Sequence, residues 1–174
     1  MSIYVALLRA VNVGGTGKLP MSELKAMCET AGFRRVQTYI ASGNVVFESA
    51  LTEAQVKARL EAALEAYAGK PVGVTVRSGE EIAQVLADNA FPDGPGNRVV
   101  AIFLDAPPPP DALEKAVGQA DDEKTALGRR EIYVWYGEGM AHSKLRIPAA
   151  KTGTARNMNT VAKLAEMAEA LARG

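Results

Sequence analysis

Apolar positions in the first half of the chain switch between a two-residue and a three-to-four-residue spacing, which predicts alternating strands and helices. Gly32 suits a helix stop, and turn-forming residues separate the two central strands. The resulting order is βαββαβ. In chain order the predicted elements are a strand at 3–9, a helix at 20–32, strands at 35–40 and 45–49, a helix at 52–67 and a strand at 72–76.

The predicted strand order brings two distant segments to one edge of the sheet. In a split βαβ unit of this kind, strands one and two run parallel, and strand three lies antiparallel between them. The carboxyl end of strand one and the turn between strands two and three must then share an edge. We therefore expect the loop from Arg9 to Lys18 to lie beside the turn Ser42-Gly43-Asn44.

The second half of the chain has the pattern of a degraded copy of the first.

In the first half, strands one and three are apolar on both alternating faces, which is typical of strands covered on both sides. We expect an α+β fold in which a ferredoxin-like half, residues 1–78, is integrated with a second α+β half, residues 79–174. The elements predicted for that half are a helix near 79–88, a strand at 99–104, a helix after the prolines at 107–110, a hairpin of strands 124–127 and 131–136, and a final helix at 156–172.

The composition is that of an ordinary soluble globular protein, with 48% hydrophobic and 23% charged residues. No apolar run approaches the roughly 20 residues of a membrane span, so no membrane association and a cytoplasmic location are the default expectations. The one cysteine, Cys28, cannot form an internal disulfide. It falls on the apolar stripe of the first predicted helix, which favours a place in the core over a reactive thiol.

The net charge of zero hides a segregation of charges along the chain. The windows 1–22, 30–47 and 139–165 contain no acidic residue and nine basic ones, so the other 107 residues carry a net charge of minus nine. The same windows hold the densest polar motifs and four of the six asparagines. If the fold brings them together, they make a cationic, hydrogen-bonding site for an anion.

Known cofactor and metal motifs are absent. The run Gly14-Gly15-Thr16-Gly17-Lys18 does not match the P-loop pattern, because Asn12 and Leu19 stand where a glycine and a hydroxyl residue are needed. It does not match the dinucleotide pattern either, because Pro20 stands where that pattern has Gly or Ala. No His/Cys cluster suggests a metal, and His142 is the single histidine. The sequence therefore predicts no cofactor and no metal, and it identifies no reaction.

Each candidate residue has a structural reading beside the functional one. Arg9 ends an apolar strand, so its charge needs either a structural partner or a bound anion. Ser42 is either a turn-forming residue or a hydrogen-bond donor to an anion. The start of the last helix, around Arg156, reads either as a capped surface helix or as an anion site. The residues predicted to bind the anion are Arg9, Asn12, Gly14, Gly15, Ser42, Asn44, Ser143, Lys144, Arg156, Asn157 and Asn159.

Four motifs together give the chain a family resemblance: Ala6 to Gly15, Tyr39 to Phe47, Ser143-Lys144-Leu145, and Arg156 to Val161. In order and spacing they resemble a widespread bacterial family catalogued as domain of unknown function 1697. The resemblance implies a two-part α+β fold with a ferredoxin-like first half, and it implies no activity. The family usually has Gly where Ala10 stands and Trp where Met158 stands.

Three classes of function remain open at this point. The first is a protein that binds a small phosphorylated or carboxylated ligand, such as a nucleotide, with or without catalysis. The second is an RNA-binding module, which a sheet covered on both faces and an aromatic content of 6% disfavour. The third is a structural or protein-interaction role in which Asn12, Asn44 and Asn157 bond backbone groups and hold turns and caps together.

Overall fold

A computed structural model describes residues 1–12 and 18–174 of the chain. The described residues form two compact units, one made of Met1–Ala83 with Lys163–Gly174 and the other of Gln84–Ala162. The predicted division near residue 78 stays a prediction. The elements are β1 (Ser2–Leu8), α1 (Met21–Thr30), β2 (Arg34–Tyr39), β3 (Asn44–Ser49), α2 (Glu53–Ala68), β4 (Val74–Ser78), α3 (Gly79–Ala87), β5 (Val99–Phe103), β6 (Lys124–Leu127), β7 (Glu131–Trp135), β8 (Thr154–Asn157) and α4 (Met158–Arg173).

The first unit contains a four-stranded sheet in the order β2-β3-β1-β4. Every neighbouring pair is antiparallel, so β1 and β2 run parallel with β3 between them. This is the ferredoxin-like order, and it confirms the fold class and the strand arrangement predicted from the sequence.

Local signals explain where α2 begins and where α1 and α2 end. Thr52 and Gln55 form a reciprocal capping box at the start of α2, and Gly69 closes the helix in the left-handed conformation. Gly32 follows α1 with φ +93°, and the amide of Phe33 bonds back to the carbonyl of Cys28, as in a Schellman motif.

Both faces of β1, a central strand of the first sheet, are buried. Alternate residues Tyr4, Ala6 and Leu8 pack with α1 and α2 in one apolar cluster. The intervening residues Val5 and Leu7 are fully buried as well. Strands covered on both sides were expected from their continuous apolar sequence.

The second unit repeats the strand plan of the first. Its sheet has the order β6-β7-β5-β8, again antiparallel throughout, with β5 in the place of β1 and β7 in the place of β3. One backbone bond is also repeated: the Leu8 amide donates to the Gly43 carbonyl at 2.8 Å, and the Leu104 amide donates to the Arg130 carbonyl at 2.8 Å. The pattern of a degraded copy therefore extends to register.

The fourth strands of the two sheets match residue by residue. Leu7 pairs with Thr75 as Phe103 pairs with Thr154, which aligns Thr75-Val76-Arg77 with Thr154-Ala155-Arg156. Both arginines are buried, and each donates from Nη1 to the carbonyl of the residue before it. A capping residue and a helix follow in each case, Ser78 before α3 and Asn157 before α4.

One predicted element of the second half is wrong, and the predicted last helix is present but begins two residues later than expected. Residues 110–115 form successive i to i−3 turns and no helix, since only seven residues separate Pro110 from Gly118 and Val117 pairs with Arg146 as an isolated bridge. The last helix begins at Met158, because residues 154–157 pair with β5 as strand β8. Within the described part of the chain, no helix is long and apolar enough to cross a membrane.

Candidate functional site

The end of β1 lies against the turn between β2 and β3, as the topology predicted. Besides the bond between Leu8 and Gly43, a Cβ atom added to Gly43 would lie 2.8 Å from the Leu8 Cβ and 2.8 Å from the Val11 Cγ2. Only a residue without a side chain permits this approach. The described part of the Arg9 to Lys18 loop therefore neighbours the turn, and residues 13–17 lie outside the described residues.

Asn12 ties the loop to that turn with its side-chain amide. Its Nδ2 donates to the Leu19 carbonyl and to the Ala41 carbonyl, both at 2.8 Å. Its Oδ1 accepts from the Leu19 amide at 2.6 Å. Asn12 takes a left-handed conformation, with φ 55°, which asparagine tolerates better than most residues. This side chain holds the backbone at both ends of the loop.

The turn itself is braced by Asn44. Its Nδ2 donates to the Tyr39 carbonyl at 2.9 Å and to the Ser42 Oγ at 3.0 Å, and the residue is fully buried. A buried amide satisfied by backbone and hydroxyl partners fixes the turn geometry. Ser42 lies half-buried at the same edge.

A cavity of about 500 Å³ opens beside this edge, between the end of β1 and the start of β4. The Arg9 amide donates to the Gly73 carbonyl at 2.9 Å, which holds the two segments together. Three exposed cations line the cavity: Arg9, Lys18 and Lys70. Among the described residues that line it, none is acidic. The described lining therefore carries three positive charges and no negative one.

The rest of the lining is apolar and includes one aromatic ring. Leu64 is buried at the base of the last turns of α2, and Tyr67 keeps 47% of its surface exposed. The other apolar lining residues come from the loops on either side: Ala10, Val11, Leu19, Ala68, Pro71 and Val72.

In the second unit, Ser143 is engaged by the protein itself. Its Oγ donates to the Glu123 Oε2 at 2.5 Å and accepts from the Leu145 amide. Glu123 is buried, and its Oε1 accepts from the Ala120 amide at 2.7 Å. This serine and carboxylate hold two segments of irregular chain together. Lys144 is exposed beside them, with its carbonyl against Gly118.

Arg156 lies in β8 rather than at a helix start, which corrects the predicted placement. It is 9% exposed, its Nη1 donates to the Ala155 carbonyl at 2.8 Å, and burial lowers its pKa to about 10.

The start of α4 is covered by the chain. Asn157 caps it by accepting from the Thr160 amide at 2.9 Å, and the Asn159 amide donates to the Gly96 carbonyl at 3.3 Å. Met158 is only 4% exposed, so this position is a core position and not an exposed platform.

The structure thus assembles part of the predicted set within one unit. Arg9, Asn12, Ser42 and Asn44 share an edge of the first sheet, while Gly14 and Gly15 lie outside the described residues. In the second unit Arg156, Asn157 and Asn159 follow one another along β8 and α4, and Ser143 and Lys144 lie in the segment beside Gly118 and Glu123. No group of three or more potential metal ligands occurs among the residues that the structure describes.

Three lining residues were missed from the sequence: Lys18, Lys70 and Tyr67. The ferredoxin-like order carries the signal that would have found them, because it places the start of β4 beside the end of β1. Lys70 and Tyr67 come just before β4, so topology brings them to the edge that already held Arg9.

Comparison with known proteins identifies a family and a similar structure, and neither description names an activity. No match was found among curated proteins. The solved structure of the conserved bacterial protein SP0830 from Streptococcus pneumoniae shares 25% sequence identity and superposes with a TM-score of 0.77, covering 96% of this chain and 98% of that chain. The family model described as "Protein of unknown function (DUF1697)" matches residues 1–133. Since that match spans 133 of 174 residues, the chain belongs to the DUF1697 family.

Proposed function

We propose that the protein binds a small anionic ligand, phosphorylated or carboxylated, in the cavity of the first unit. The observation that carries the proposal is the lining itself: Arg9, Lys18 and Lys70 with no acidic residue among the described lining residues. Three like charges around one cavity repel one another, and a bound anion relieves that repulsion.

The proposal divides the predicted residues by role. Arg9 contacts the ligand together with Lys18 and Lys70. Asn12 and Asn44 hold the backbone at this edge of the sheet and do not contact the ligand, because their side-chain amides already bond backbone groups of the protein. Contact by Gly14, Gly15 and Ser42 remains part of the proposal, whereas the proposal needs no residue of the second unit.

A purely structural role for the polar motifs is the second candidate, and the contacts of Asn12 favour it. Asn12→Ala removes three hydrogen bonds and leaves the Leu19 amide and two carbonyls without that partner. We expect a loss of about 2–3 kcal/mol in the free energy of unfolding, measured by urea denaturation. A loss below about 0.5 kcal/mol would assign Asn12 to ligand contact instead.

The ligand proposal is tested by calorimetric titration at low ionic strength. The probes are inorganic phosphate, pyrophosphate, ribose 5-phosphate and citrate, with uncharged ribose as the negative control. We expect at least one anion to bind, with an affinity that falls as salt is added, because the cations are exposed and open to screening.

Charge-removal variants locate the site. Arg9→Gln, Lys18→Gln and Lys70→Gln should each weaken binding at least fivefold, about 1 kcal/mol. Lys25→Gln is the matched control, since Lys25 is exposed on α1 and does not line the cavity. Equal weakening in Lys25→Gln would show a general charge effect. Absence of binding by every anion would refute the proposed function.

A further inference from the structure

The cavity has two chemically different sides. Arg9, Lys18 and Lys70 provide positive charge, whereas Leu64, Tyr67 and the neighbouring loop residues provide apolar surface. A bare inorganic anion would use only the first side. The volume of about 500 Å³ is also that of a pocket for an organic molecule rather than for a single phosphate.

Tyr67 is placed at the cavity by the periodicity of α2. Leu60 and Leu64 face the core four residues apart and are buried to 0% and 1% exposure. The next position on that side of the helix is three residues further, which is Tyr67. Tyr67 lies within the last turn of the helix, which ends at Ala68 and is capped by Gly69, and 47% of its surface is exposed.

The lining that follows Tyr67 in the chain is largely apolar. Ala68, Pro71 and Val72 have side chains without a donor or acceptor, and Lys70 between them supplies a positive charge. A partly exposed tyrosine ring among such residues offers a stacking surface for a planar ring, and stacking tolerates rings of different polar pattern.

We propose that the ligand is a phosphate ester carrying a planar ring, the chemical class of nucleoside phosphates. The phosphate lies against Arg9, Lys18 and Lys70, and the ring stacks on Tyr67. This proposal rests on the proposed function, because it adds the apolar half of the ligand to the same anion site. It also implies weak discrimination among bases.

Three probes separate the two halves of the ligand: AMP, ribose 5-phosphate and adenosine, titrated calorimetrically against the whole chain. We expect AMP to bind at least tenfold more tightly than ribose 5-phosphate, and adenosine to bind more weakly than AMP. GMP should bind within about fivefold of AMP, and UMP more weakly than either because its ring is smaller.

Variants at Tyr67 then assign the ring contact. Tyr67→Ala should weaken AMP binding at least tenfold while changing the affinity for ribose 5-phosphate by less than twofold. Tyr67→Phe keeps the stacking surface and should retain AMP affinity within threefold. Arg9→Gln should weaken AMP and ribose 5-phosphate alike.

The outcomes distinguish this inference from the proposed function. If ribose 5-phosphate binds as tightly as AMP, or if Tyr67→Ala weakens both equally, the nucleotide class is wrong and the anion site stands. If neither phosphate compound nor any other anion binds, both proposals fail. A stability check by urea denaturation accompanies each variant, so that weakened binding is compared only between folded proteins.

Discussion

Replacing Gly43 by alanine tests the close contact between the end of β1 and the turn that precedes β3. Gly43 has φ +90°, a conformation that residues with a Cβ atom rarely adopt. The new Cβ would lie 2.8 Å from the Leu8 Cβ and 2.8 Å from the Val11 Cγ2. Leu8 is fully buried and Val11 is 8% exposed, so neither side chain has open space to move into.

The expected loss has two parts with separate physical causes. A left-handed conformation costs a non-glycine residue about 1–2 kcal/mol, less about 0.4–1 kcal/mol because alanine restricts the unfolded chain. Inserting a methyl group into a packed site costs about 1–3 kcal/mol. We therefore expect Gly43→Ala to lower the free energy of unfolding by about 2–4 kcal/mol, a large fraction of a typical stability of 5–15 kcal/mol.

Two other glycines separate these parts in the same assay, urea denaturation followed by far-ultraviolet circular dichroism. Gly32 has φ +93° with nothing within 4 Å of an added Cβ, so Gly32→Ala should lose only the backbone part, about 0.5–1 kcal/mol. Gly139 has φ −85° and equally open space, so Gly139→Ala should be neutral or slightly stabilising. If Gly43→Ala loses no more than Gly32→Ala, the close packing at the sheet edge is refuted.

Three further predictions concern single residues. Ala10 has φ 56°, so Ala10→Gly, the residue usual in the family, should raise the free energy of unfolding by about 0.5–1 kcal/mol in the same assay; a decrease would contradict the strain. Burial, with a smaller contribution from Glu29, raises the pKa of the Cys28 thiol to about 12, so at pH 8 the native protein should react with a thiol reagent only as fast as it unfolds. Tyr133 donates to the Val85 carbonyl at 2.8 Å, and burial raises the pKa of its hydroxyl above its ordinary value. Because the pKa is higher in the folded protein than in the unfolded chain, the contribution of the Tyr133 hydroxyl to the free energy of unfolding is complete below about pH 10 and is lost as the pH rises through the folded pKa. Tyr133→Phe should therefore be about 1–2 kcal/mol less stable than the parent protein at pH 7, and its free energy of unfolding should fall less than that of the parent between pH 9 and 11.

The first unit was predictable because its strands are mostly longer than those of the second unit and clear turn and helix-stop residues separate its elements. Strand and helix spacing gave the order βαββαβ, and the handedness and connection rules for such units then fixed which strands are neighbours. The contact between the Arg9 segment and the Ser42 turn followed from topology alone. No side-chain information was needed for it.

The second unit was harder to predict because its elements are short. Strand β8 has only four residues, too few to show an alternating pattern, and it runs directly into the periodic sequence of α4. The repeated Thr-x-Arg pattern, at Thr75 and at Thr154, was the signal that would have revealed it. In each half this pattern precedes a capping residue and a helix.

The predicted site mixed two kinds of residue that the sequence could not separate. Asparagines and cations both concentrate in the acid-free windows. Only the structure shows that the side-chain amides of Asn12 and Asn44 bond backbone groups. It also shows that Lys18 and Lys70 line the same cavity as Arg9. Lys70 lies outside those windows, because Glu65 and Glu80 flank its segment in the chain.

The repeated strand plan gives an independent argument about Arg9. The residues that follow the equivalent backbone bonds of Leu8 and Leu104 are Arg9 and Asp105, so the same structural position carries opposite charges in the two units. The strand end itself therefore does not require a cation. The shared backbone geometry leaves the charge at this position open, so the strand plan does not fix Arg9 as a cation. If Arg9 contacts an anion as we propose, Arg9→Gln, which keeps the strand plan intact, should lower the affinity for the anion far more than the free energy of unfolding.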